Sequence, residues 1–377
     1  MDRLFNYNLY EHARWGAGLR YIYSLDGSPA GRQLWVDAYG GYGVADQAFK
    51  YGGALSFKNG GNGQMRVGLS YVDDLERAAS RNLEGYSLTN LSANSVYMAT
   101  RFSHIRRATA SVQGRVAPRW TASANLRYSV EEYLFTQTGM VYPTLNGGNH
   151  LPLRRFAELA ATADRSGTFK LFLLAGLTNL PYSSTLNENG QLIENNVFFI
   201  RGIAQYSKTV AVGSKGQFDL FGQLGASNAE APYSRIFDLG GTWGSAFYFS
   251  HALLTLRPAE LAANCYAQLC LRLATVKPLW NLGGYSAPKV YAQVNGVIGA
   301  LWDGGRLAEA TYTDGLTLYA PTKGLLEFSA GVSNLLTLSG ISIGFAAAWQ
   351  VAPESAVYYR SNPADRLALL SSATLLF

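Results

Sequence analysis

Residues 34–58 read LWVDAYGGYGVADQAFKYGGALSFK, and alternate positions of this stretch divide between two kinds of side chain. From 34 to 46 one set is Leu34, Val36, Ala38, Gly40, Tyr42 and Val44, and the other holds Trp35, Asp37, Tyr39 and Gly41. From 49 to 58, Phe49, Tyr51, Gly53, Leu55 and Phe57 alternate with Lys50, Gly52, Ala54, Ser56 and Lys58. Successive side chains of a strand point to opposite faces, so these are two strands, each with one face that needs a dry side and one that needs water. A soluble sandwich can hold one such pair, but all its inner faces must fill a single closed core. Here the pattern recurs along the chain, with an apolar face rich in Tyr, Trp and Phe. That suits a barrel that is apolar outside and polar within.

Composition agrees. Hydrophobic residues make up 48% of the 377, yet mean hydropathy is close to zero, because apolar residues are spread through alternating strands and not gathered into runs. Charged residues are only 15%, and the 24 tyrosines can furnish aromatic girdles at two membrane interfaces. The formal net charge of +6 comes without a basic block interleaved with aromatics, which argues against a nucleic-acid partner. Cys265 and Cys270 lie five apart in one predicted strand, on opposite faces and too far apart to bridge. They read as small apolar fillers, and no metal site or cofactor is expected. Residues 328–353 carry no charge, but their glycines, serines and alternating Ile341, Ile343, Phe345, Ala347 and Trp349 make two strands with a tight turn near 338–340, not a membrane helix.

The alternation predicts strands over 14–25, 34–45, 48–57, 64–72, 96–103, 107–116, 120–130, 156–164, 169–177, 197–206, 217–225, 245–256, 265–274, 290–300, 325–335, 341–351 and 366–377. Short connections (59–63, 117–119, 165–167, 213–216) alternate with long ones (73–95, 131–155, 178–196, 301–324), as a barrel with one short-turn rim and one long-loop rim requires. The expectation is an all-β fold, a transmembrane antiparallel β-barrel of about 16 strands. Residues 1–377 read as a single outer-membrane barrel domain. Met1 to Asn8 lack the apolar core of a secretory signal, so a leader and any N-terminal periplasmic module are expected outside this sequence.

Residues 233–280, with Leu239-Gly240-Gly241, Phe247-Tyr248-Phe249, Pro258, Glu260, Tyr266, Leu269 and Arg272, resemble a Bacteroidota outer-membrane barrel family of unknown function whose members follow a carboxypeptidase-regulatory-like domain. Residues 327–336 with Gly344-Phe345 look like its penultimate hairpin, and 5–19 is a weaker match to its barrel entry. The resemblance implies a surface-antigen-like barrel, distantly similar to BamA-type insertases. The regulatory-like domain is absent, and the Arg-Gly-Tyr or Arg-Gly-Phe lid-loop motif of those insertases does not occur at 238–245.

Candidate functional residues come from the polar faces. Arg14, Arg20, Arg66, Arg101, Arg107, Arg115 and Arg127 form a predicted basic wall of the lumen. Left open, it would favour anions; alternatively its arginines pair with Asp37, Glu158, Asp164, Asp219 and Glu327, which fill the interior. No nucleophile–histidine pair arises at Ser103-His104 or Ser250-His251, since adjacent strand residues face opposite ways. No catalytic residue is assigned. The expected role is transport, assembly or surface interaction in the cell outer membrane, with a narrow anion-preferring pore and a barrel hydrolase as alternatives. Expected partners are outer-membrane lipid, the barrel assembly machinery and an unidentified periplasmic component.

Phe377 resembles the terminal assembly signal of outer-membrane barrels. Deleting it, or Phe377→Asp, should lower the amount in the outer-membrane fraction with synthesis unchanged. Normal yield of the deletion on immunoblots of fractionated cells would remove this role.

Overall fold

The computed structural model describes residues 5–8, 12–27, 31–60, 65–77, 101–137, 140–141, 153–186, 192–239, 241, 251, 253–256, 261–283, 285–302, 319–338, 341–354, 356 and 359–375. Two compact units are distinguished, the first mainly Met1–Ile203 with Ser227–Ile236, the second mainly Ala204–Ala226, Phe237–Trp302 and Leu318–Phe377. The first holds β1 (Phe5–Asn8), β2 (His12–Ser24), β3 (Gln33–Gly43), β4 (Phe49–Lys58), β5 (Arg66–Arg77), β6 (Arg101–Ala117), β7 (Trp120–Gln137), β8 (Met140–Val141), β9 (Arg154–Arg165) and β10 (Phe169–Leu186). β11 (Leu192–Val212) runs from the first into the second. Then come β12 (Gly216–Ser227), β13 (Phe237–Asp238), β14 (Ala262–Ala263), β15 (Cys265–Thr275), β16 (Lys289–Ala300), β17 (Leu325–Leu338), β18 (Ile341–Ala352) and β19 (Leu367–Leu375). Seventeen strands share one sheet, and β13 with β14 makes a separate ribbon.

Within each unit the ladder follows chain order. In the first, β2 to β7 pair successively and antiparallel, and β7, β9 and β10 continue the series. In the second, β12, β15, β16, β17, β18 and β19 do the same. Tight turns fall where the sequence placed them. Ser166 and Gly167, both at positive φ (46° and 77°), lie in the three-residue connection Ser166–Thr168 that joins β9 to β10 as a hairpin.

Each unit is inside out by the standard of a soluble protein. In the first, Leu19, Leu69 and Leu126 are 64–70% exposed, while Lys50, Ser129, Glu131 and Glu158 are 3% exposed or less. In the second, Leu224 and Leu369 are exposed, whereas Gln268, Gln293, Asn295, Glu327 and Gln350 are buried. Water would penalise so many exposed leucines, and lipid does not. The polar face is packed by aromatic rings lying across glycines of the opposite strand. Tyr39 faces Gly52 and Tyr266 faces Gly225, where an added Cβ would come within 2.5 and 2.2 Å of the ring.

Several expectations are corrected. The strands placed at 96–103 and 107–116 are one continuous β6 from Arg101, with 96–100 outside the described residues. β5 and β7 run on into the regions read as loops from 73 and 131, and much of 178–196 belongs to β10 and β11. Polar residues there suggested strand ends, but a ladder outside an apolar layer tolerates them on both faces. The strand expected at 245–256 is absent from its described residues: His251 lies in a turn and 254–256 bend. Residues 253–256 are buried one after another, Leu254 against Ala348, Ala368 and Leu370, without the alternating exposure of a wall strand. The charge-free stretch forms β17 and β18, as expected.

Leu69→Arg tests the inside-out face. In a bilayer the change should cost about 2–4 kcal/mol near mid-depth, read by urea unfolding from lipid vesicles. A loss below about 0.5 kcal/mol, ordinary for a water-facing site, would contradict a lipid-facing surface.

Candidate functional site

The chain between β12 and β15 leaves the wall, and its described residues (228–239, 241, 251, 253–256 and 261–264) are mostly buried. Asn228 begins the departure. Its amide oxygen accepts from the Ile200 N–H (3.0 Å) and its amide nitrogen donates to the Phe198 carbonyl (3.2 Å). Pro232 then fixes the entry to a 3-10 turn, Tyr233–Arg235.

Arg235 is the centre of the arrangement. Its Nε donates to Glu158 Oε1 (2.6 Å), Nη2 to Glu131 Oε1 (2.6 Å), and Nη1 to Glu131 Oε2 (3.1 Å) and Ser234 Oγ (2.9 Å). Its Cζ lies 4.1 Å from the centroid of the Phe156 ring. Glu131 on β7 and Glu158 on β9 have side chains only 2% exposed. In the ladder Arg154 stands opposite Glu131, and Arg127 opposite Glu158. Burial opposes the charge on Arg235, but Glu131 and Glu158 outweigh it and hold the guanidinium pKa well above the usual arginine range. A two-pronged contact to one carboxylate with a further bond to a second is among the stronger charge-assisted arrangements available to a side chain.

In the second unit a different chemistry holds residues 251–264. Glu327 of β17 accepts from the Leu254 N–H (2.8 Å), the Thr255 N–H (3.1 Å) and Thr255 Oγ1 (2.9 Å). The His251 carbonyl accepts from Gln268 (2.8 Å) and Asn295 (3.3 Å), and its ring stacks on Phe221 with centroids 4.1 Å apart. Burial, then Arg272, lowers the His251 pKa below the ordinary histidine value, so the ring is neutral at pH 7. The β13–β14 ribbon pairs Phe237 with Ala263 and Asp238 with Ala262. Gly241, in the Leu-Gly-Gly motif, has the Leu253 carbonyl where a Cβ would stand, at 1.8 Å, so no larger residue fits.

The sequence-assigned residues divide. Arg20 bonds Asp37 (2.5 Å), one of the acids named as possible partners of the arginine set. Arg14 instead meets Asp74 (2.7 Å), and Arg107 meets Glu76. Arg66 bonds Ser56 Oγ, and Arg115 is exposed at the turn end of β6. Arg101 belongs to β6, but its side chain lies outside the described residues, as does Phe377. Asp164 lies 3.8 Å from Lys170, and Asp219 accepts from Thr209 and Gln217. Arg235, Glu131, Asp74 and Glu76 were not singled out from sequence. Alternation would have shown the acids, since Val72, Asp74 and Glu76 share a face of β5.

A long antiparallel sheet with one polar, buried face and one apolar, exposed face is the architecture of a β-barrel. The solved BamA barrel from Haemophilus ducreyi, lacking POTRA domains 1–3, superposes with a TM-score of 0.53 at 12% identity, over 98% of this chain and 69% of that one. CdiB from Acinetobacter baumannii (TM-score 0.46, 9% identity, 96% of this chain) and from Escherichia coli (0.46, 12%, 97%) are more distant. This chain spans 57% and 61% of those two. No family model matches the chain, and no curated protein matches it. The fold is therefore that of an outer-membrane barrel of the BamA type.

Arg235→Ala leaves two buried carboxylates without their guanidinium and should destabilise the protein by about 3–5 kcal/mol, read by urea unfolding in detergent. The combined Arg235→Met, Glu131→Gln and Glu158→Gln change should recover most of that loss. A single variant as stable as the parent would show that the contact carries no weight.

Proposed function

We propose that the chain is an outer-membrane barrel for transport or assembly whose polar face is packed by described residues of its own 228–264 segment, without catalysis. The observation that carries this reading is the Arg235 guanidinium held between Glu131 and Glu158. Such a contact fixes a segment in one place, yet ends when either partner is displaced. It suits a barrel whose contents yield to a passing or inserting chain better than one kept permanently open. The resemblance to the Bacteroidota barrel family and the BamA-type fold agree with it. Outer-membrane location follows from the same reading, with lipid against the exposed leucines and the assembly machinery recognising Phe377. Pairing of Arg14 and Arg107 with Asp74 and Glu76 weighs against an anion-selective pore over that part of the wall. A hydrolase gains no support from His104, which bonds Asp73 at 2.6 Å, because Ser103 beside it faces the other way.

In planar bilayers the parent protein should show low, rare conductance, and Glu131→Gln with Glu158→Gln should raise the frequency of large openings. A parent with steady, anion-preferring conductance, unaltered by that double change, would favour the pore.

A further inference from the structure

The basic wall is not uniform along the strands of the first unit. Toward the long-loop end its arginines meet acids: Arg14 with Asp74, Arg107 with Glu76, and Arg127 opposite Glu158. At the short-turn end the balance is different. One row of the ladder runs Gln33, Lys58, Arg66, Gln113 across β3, β4, β5 and β6, with Arg115 two residues beyond Gln113. Arg20 lies on the same polar face, its side chain 58% exposed. Among the described residues Asp37, bonded to Arg20, is the carboxylate paired with this group, and Lys58, Arg66 and Arg115 form no ion pair there; Asp164, in the ladder row of Arg115, lies 3.8 Å from Lys170. Arg66 is positioned by Ser56 Oγ at 2.8 and 3.0 Å and lies 4.9 Å from the Trp35 ring, which Arg20 also approaches at 5.3 Å. Trp35 in turn donates to Gln33 Oε1 at 2.9 Å. Arg66 and Arg20 are thus held in place over Trp35.

We propose that this short-turn end of the polar face binds an acidic stretch of polypeptide in extended form. Three features favour that occupant. The cations are spread over three strands, about 5 Å apart per strand, which matches carboxylates distributed along an extended chain better than one compact polyvalent anion. Trp35 is already engaged by two guanidinium groups, so it offers no free platform for a nucleobase. Membrane lipid meets the opposite, apolar face of these strands, where Phe49, Leu55 and Leu69 are exposed. The inference rests on the reading of the chain as a transport or assembly barrel and names the kind of chain it receives.

The test is fluorescence anisotropy of the purified barrel in detergent, with a labelled peptide of alternating Glu and Ser, and its Gln–Ser counterpart as reference. It needs neither a membrane nor conductance, so its failure is separable from failure of the transport or assembly reading. The Glu peptide should bind more tightly than the Gln peptide and lose that advantage as salt is raised. Lys58→Gln, Arg66→Gln and Arg115→Gln together should weaken it by about tenfold, with the unboiled gel mobility unchanged. Arg115→Glu, at an exposed site, provides a second variant should the triple one misfold, and should weaken binding in the same direction. Equal affinity for the two peptides, or Glu-peptide binding unaltered by Arg115→Glu, would overturn the proposal. So would tighter binding of inorganic triphosphate or of a single-stranded oligonucleotide through the same residues.

Discussion

A strand whose side chains meet lipid cannot leave a backbone N–H or C=O without a partner, because nothing around it can replace the missing bond. That requirement keeps β2 to β7, and β15 to β19, paired antiparallel with their neighbours, with the register shifting only near Arg115–Ala117 in β6 and at Leu326–Glu327 and Val332–Leu336 in β17. The remaining choice concerns side chains. With two faces and lipid on one, polar residues collect on the other, where they must solve their own charge balance. The interior chemistry is therefore a consequence of how the wall is hydrogen-bonded.

The two ways in which 228–264 is held show different solutions. Arg235 brings a cation to two carboxylates already on the wall, so the segment joins a charge cluster to which the wall contributes acids and arginines alike. Glu327 does the reverse: a wall carboxylate collects backbone and hydroxyl donors of the segment, with no cation in the contact. A buried ion pair adds little net stability against apolar packing of the same volume, but losing one member is expensive. Such contacts define a single arrangement sharply while contributing modestly to its depth.

Much of the fold was legible because the period of two is a property of the strand itself. Residues 34–58 show the same inner and outer sets in space as on the page, with Lys50 buried and Phe49 exposed. Legibility failed where the same alternation had another cause. Leu254 and Leu256 are apolar because they pack inside, and without knowledge of what faces them they are indistinguishable from lipid-facing residues. The site failed to emerge for a related reason. Asp73 and Glu131 were taken as the first residues of loops, although β5 and β7 carry them within strands. Arg14 and Arg107 pair with acids of that strand extension, Asp74 and Glu76, and the pairing of Arg235 depends on where a turn of irregular chain comes to rest.

The rings that lie across glycines bear on how such a wall is inherited. At Tyr39 and Gly52, or Tyr266 and Gly225, a methyl group on the glycine would meet the ring at 2.5 or 2.2 Å, so the glycine cannot gain a side chain while the ring stands. A lineage must exchange the ring first, or carry a crowded intermediate through selection. Diversity at these glycines therefore waits on a change in the ring that lies across them.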